Sequence, residues 1–127
     1  MKITQSTPEM DVPAGRDDPA AEASLIRAMD RLTESNKQLI EDNNIGVEIV
    51  HDDVPFLNNG FPYGAYFVFS DGERTIRIYS YMMRLHQRGY NINTPDEFDD
   101  WMYRLVLHEL GHVRGETDAE MAERHGY

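Results

Sequence analysis

Hydrophobic and polar positions alternate with different periods along the chain, and the changes of period mark its elements. Leu25, Met29, Leu32, Leu39 and Ile40 recur at spacings of one, three, four and seven. That pattern predicts one amphipathic helix, with Asp18 as N-cap, Pro19 in the first position and an end near residues 43–46. "VEIV" then sets Val47 and Ile49 against Glu48 and Val50, a short strand with one buried face. "HDDVPFLNNGFPYG" is broken by prolines and glycines and predicts a loop.

"GAYFVFSDGERTIRIYS" predicts a β-hairpin turning at Asp71-Gly72, where glycine and aspartate tolerate the positive φ of tight turns. Its first strand is almost wholly apolar and its second alternates Ile76 and Ile78 with Thr75, Arg77 and Tyr79. The first strand is therefore expected to be central and the second half exposed. "SYMMRLHQRG" predicts a short helix capped by Ser80 and stopped by Gly89.

The strongest helix signal is "TPDEFDDWMYRLVLHELGHVRG", with Thr94 as N-cap, Pro95 in the first position, Glu97 closing a capping box and Gly115 ending the run. At about 100° per residue, His108 and His112 share a stripe with Trp101 and Leu105, while Glu109 falls between Phe98 and Met102. A carboxylate in an apolar sector needs a partner. Residues 1–18 are polar and aperiodic and are expected to form a flexible arm, leaving residues 19–127 as a single domain. Helix, strand, hairpin, helix, helix places the chain in the α+β class.

Composition narrows the chemistry. There is no cysteine, so histidines and carboxylates are the candidate metal and catalytic groups. The net charge of −11 argues against nucleic acid as a partner. Arg74, Arg77, Arg84 and Arg88 form an acid-free stretch, expected to face the acidic remainder of the surface. No apolar run suits a signal peptide or a membrane span, so a cytoplasmic protein with no membrane partner is expected. The sequence leaves the oligomeric state open.

Two histidines four apart on a helix point the same way and can grip one zinc ion. Glu109, one residue after the first, lies beside such a metal and suits the general base of metal-assisted amide hydrolysis. A catalytic zinc needs a third protein ligand. Asp118 is the first choice, because Gly115 lets the chain turn back toward the metal; Glu120 is next, and Glu116 and His125 also follow. Asp118 has a structural alternative, since Thr117 or Asp118 could cap a last helix "AEMAERH", with Thr117 and Glu120 as a capping box. His51 and His86 are expected to be loop and helix-surface residues, and Tyr66, Tyr79 and Tyr81 to be aromatic core before they are oxyanion donors.

"HELGHVRGETD" resembles the zincin metallopeptidases, and its His-Glu-x-x-His-x-x-Gly-x-x-Asp spacing is similar to the aspartate form of the metzincin motif in small snapalysin-type proteases. The resemblance implies Zn2+ held by His108, His112 and Asp118, with Glu109 as general base, acting on a protein or peptide substrate. It also implies a mixed sheet with an edge strand over the cleft. Metzincins continue into a methionine-bearing turn, whereas "AEMAERHGY" follows here, with Met121 the one methionine and a short terminal helix its expected setting. The expectation is a minimal zincin of a small, phage-like genome. The alternative is a zincin-like structural or regulatory protein, such as a virion component, with a metal site and no turnover.

Overall fold

A computed structural model describes residues 17–51 and 63–127. Residues 1–16 of the expected arm and most of the expected 51–64 loop lie outside the described residues. The fold is α+β: α1 (Pro19–Arg31), α2 (Glu34–Asp42), β1 (Ile45–Val50), β2 (Gly64–Val68), β3 (Arg74–Tyr79), α3 (Ser80–His86), a 3-10 turn (Gln87–Tyr90), α4 (Pro95–Val113) and α5 (Asp118–His125). None of the described helices is long and apolar enough to cross a membrane.

Asp18 caps α1 as its position predicts, accepting from the Ala21 amide at 3.0 Å. It is buried, and Arg84 donates to both its carboxylate oxygens at 2.8 and 3.2 Å, so it belongs to the core and not to the arm. The expected single helix is two. Leu32 leaves the helix in an extended conformation and Thr33 caps α2, its hydroxyl accepting from the Asn36 amide. The apolar spacing survives the break because Leu32 and Ile40 reach the same core from both sides of it.

The sheet has the order β1-β3-β2, with β3 parallel to β1 and antiparallel to β2. The hairpin forms at Asp71-Gly72, with Gly72 at φ +87°, but its strands hold the opposite places to those expected. β3 is central and the apolar β2 is an edge, with Val68 61% exposed. Alternation in β3 reports its two faces: Ile76 and Ile78 point into the core, while Arg77 on the other face pairs with Glu48 of β1 and lies over the Phe67 ring of β2. A central strand carries polar residues when neighbouring strands supply their partners.

Two further local expectations change. Ser80 does not cap α3, because its hydroxyl bonds the ring of His51, a buried residue of the loop after β1, at 2.8 Å. Asn91, at φ 59°, takes the left-handed position beyond the 3-10 turn, and Gly89 lies within that turn. Of the arginine-rich stretch, Arg77 and Arg84 meet carboxylates and Arg74 meets the Asn43 amide oxygen, consistent with charges facing their own surface.

α4 packs along α1, joined at the surface by Arg27–Asp99 and Arg31–Asp100 pairs, and buries Phe98, Trp101, Met102, Val106 and Leu110. α5 docks on its far end. Met121, fully buried, lies over Gly111, where an added Cβ would come within 2.1 Å of the Met121 sulfur. Gly111→Ala gains roughly 1 kcal/mol of helix propensity and loses about 1–3 kcal/mol to overpacking. A net loss of stability in thermal unfolding is expected, with the Gly111→Ala/Met121→Ala double variant less destabilised than the sum of the single changes. A gain of stability for Gly111→Ala alone would rule out this contact.

Candidate metal centre

The end of α4 builds the site. Thr94 caps the helix, accepting from the Glu97 amide at 3.2 Å, and the Glu97 carboxylate accepts from the Asn93 amide and from the Thr94 hydroxyl. At the other end Gly115, at φ +87°, donates to His112 O, and Glu116 donates to Gly111 O. This is the paired closure of a helix that ends on a left-handed glycine. The chain is thereby turned back, Thr117 caps α5, and Thr117 and Glu120 form the capping box that the sequence offered as a structural alternative. Because Thr117 provides the cap, Asp118 is left free in the first turn of α5.

Asp118 Oδ1 lies 3.0 Å from His108 Nε2 and 3.0 Å from His112 Nε2. Each imidazole is held from behind: His108 Nδ1 is 3.1 Å from the main-chain oxygen of Tyr127, and His112 Nδ1 is 3.1 Å from that of Glu116. These oxygens accept, so each Nδ1 carries a hydrogen, and in a neutral ring that leaves the Nε2 lone pair directed at Asp118 Oδ1. Three lone-pair donors within 4.8 Å of one another repel unless a cation or added protons sit among them. With metal–ligand bonds of about 2.0–2.1 Å, a tetrahedral site needs donor separations of about 3.3 Å, close to the two 3.0 Å separations from Asp118 Oδ1 to the imidazoles. Asp118 is 77% exposed and the histidine side chains about a third or less, which leaves solvent access to a further coordination position.

The other candidates for third ligand are engaged elsewhere. Glu120 accepts from the Thr117 amide and meets Arg124; Glu116 holds Arg114, Arg124 and His125. His125 is thus turned to Glu116.

Glu109 is 4% exposed, and no hydrogen bond or ion pair ties it to another described residue. Burial pushes its carboxyl above the ordinary range; His108 and His112 pull it down and Asp118 pushes it up. The start of the edge strand β2 lies beside it: a Cβ added at Gly64 would stand 3.3 Å from Glu109 Oε2. The bare backbone there leaves the carboxylate open to a cleft of about 530 Å3 that also reaches His108.

That cleft joins Trp101, on the stripe of the two histidines, to groups the sequence did not single out. Tyr63, Tyr90 and Trp101 form one wall, with ring centroids 5.4–6.0 Å apart and a 3.2 Å contact between the two hydroxyls. Burial and that contact push the Tyr63 hydroxyl up, so it stays a donor. Tyr66, Tyr79 and Tyr81 do not line the cleft: Tyr66 and Tyr79 are at least partly buried and Tyr81 packs on His51. Arg104 also lines it, one helical turn before His108, and its spacing was the available signal.

Metal content after dialysis is expected to be about one equivalent per chain, lost in Asp118→Ala and kept in Glu120→Ala, which loses about 1 kcal/mol of helix capping instead. Equal retention by both variants would remove Asp118 from the site. No protein-family model matches the chain and no curated protein does, which leaves the geometry of its own residues to carry the site's assignment.

Proposed function

We propose that this chain is a zinc-dependent peptidase that hydrolyses amide bonds of a protein or peptide, with His108, His112 and Asp118 as metal ligands and Glu109 as general base. The observation that carries the proposal is the convergence of two back-tethered imidazoles on one Asp118 oxygen, beside a buried carboxylate that has no hydrogen-bond or ion-pair partner among the described residues. A donor set of two imidazoles and one carboxylate, with no thiolate, suits zinc in a site that keeps a position open. When bound, the ion supplies Lewis acidity toward a water and toward the scissile carbonyl.

The chain's own groups handle the protons. Glu109 accepts a proton from the attacking water as the new C–O bond forms, then donates it to the amide nitrogen as the C–N bond breaks. The second proton of the water passes from the new carboxyl group to the amine, so the products are a carboxylate and an ammonium group, and Glu109 is regenerated. Its burial, with Gly64 at its side, limits the bulk water that competes for that proton. The main-chain oxygens of Tyr127 and Glu116 hold both rings in the tautomer that leaves Nε2 free.

Glu109→Gln preserves shape and removes the base. It is expected to bind zinc as the wild type does and to lose at least about 100-fold in peptide cleavage. A variant that loses zinc would make Glu109 a ligand. Unchanged cleavage would remove it from the reaction. A wild type that binds zinc and cleaves no peptide in a broad library would favour the structural reading, in which the ion pins α5 to α4.

A further inference from the structure

Arg104 is the unusual charge of the cleft. In a chain of net charge −11, most arginines of the described residues are paired with carboxylates: Arg27 with Asp99, Arg31 with Asp100, Arg77 with Glu48, Arg84 with Asp18, and Arg114 and Arg124 with Glu116. Arg104 is exposed and meets no hydrogen-bond or ion-pair partner among the described residues. It does not compensate Glu109 either, whose charge is felt by His108, His112 and Asp118. Yet it shares one cleft with His108 and Glu109, four residues before the first histidine on the same helix.

The remaining walls are apolar or aromatic, with Ile92, Leu105 and Trp101 beside Tyr63 and Tyr90. Tyr90 is 56% exposed there, an aromatic face open to a ligand. An apolar wall accepts a flat or branched side chain, and a guanidinium at its edge offers two parallel N–H donors that match a carboxylate.

We infer that Arg104 selects the substrate: the cleft takes an aromatic or large apolar side chain whose neighbouring carboxylate is bound by the Arg104 guanidinium. The inference rests on the hydrolase reading for the word substrate. The carboxylate comes either from a chain terminus or from an acidic side chain. Arg104 is a binding residue and takes no part in proton transfer.

Trp101, the only tryptophan of the chain, lines the cleft and reports binding without turnover. The zinc-loaded full chain is titrated with N-acetylphenylalanine, with its neutral amide, and with N-acetylphenylalanyl-glutamate capped as the amide, following tryptophan fluorescence. At least one of the two acids is expected to bind about tenfold or more tightly than the neutral amide. Arg104→Gln is expected to erase the difference and Arg104→Lys to retain part of it, while zinc content stays unchanged. The acid that keeps the advantage identifies the source of the carboxylate. Equal binding of acids and amide, or no saturable response to any of them, overturns the inference. So does an acid preference that survives Arg104→Gln, since the metal ion then holds the carboxylate. An Arg104-dependent preference without Glu109-dependent cleavage would sink the hydrolase reading and leave the carboxylate site standing.

Discussion

The seat of Met121 on the bare backbone of Gly111 is the contact on which the candidate site depends. α4 alone can present His108 and His112 on one stripe, because residues four apart lie on one face. It cannot supply the third donor. That comes from α5, whose eight residues are too few to be stable by themselves, so packing must fix them. Met121 provides that packing: a flexible thioether side chain fills the notch that a glycine leaves between the turns carrying His108 and His112. With α5 docked, Asp118 at its start faces both Nε2 atoms, and the main-chain oxygen of Tyr127, beyond its end, holds His108 from behind. One short helix and the residues just beyond it thus contribute a donor and an orienting acceptor to the same site.

The turn between the two helices has a second role. Gly115 closes α4, and the carbonyl of Glu116, placed by that closure, orients His112. Positions that end a helix therefore also orient a candidate ligand. The buried Glu109 completes the arrangement at the cost of desolvating a carboxylate, tolerated because it lies close to two imidazoles and opens on a cleft.

Much of this was legible in the sequence, and the limits have physical causes. Thr94, Pro95, Glu97 and Gly115 mark the ends of α4 because caps are local chemistry, and the His108, Glu109, His112, Asp118 grouping follows from helix geometry plus one glycine turn. The break at Leu32-Thr33 escaped detection because apolar spacing continues across it. β3 was expected at the half-exposed position because alternation tells which faces are buried, not how many strands flank a strand. Its partner Glu48 is 29 residues away in sequence, and only the fold brings Arg77 to it. Tyr63 and Tyr90 were invisible for the same reason, being joined only by tertiary packing. Arg104 was visible by spacing, but its lack of a partner is a property of the folded surface.

The central claim is that α4 and α5 gather His108, His112 and Asp118 around one ion. Zinc K-edge X-ray absorption on the metal-loaded full chain tests it most directly. The account predicts two imidazole nitrogens at about 2.0–2.1 Å with the multiple scattering of intact rings, completed by oxygens at about 2.0–2.2 Å in a four- or five-coordinate shell. A shell of oxygens without imidazole scattering, or with a single ring, would contradict it.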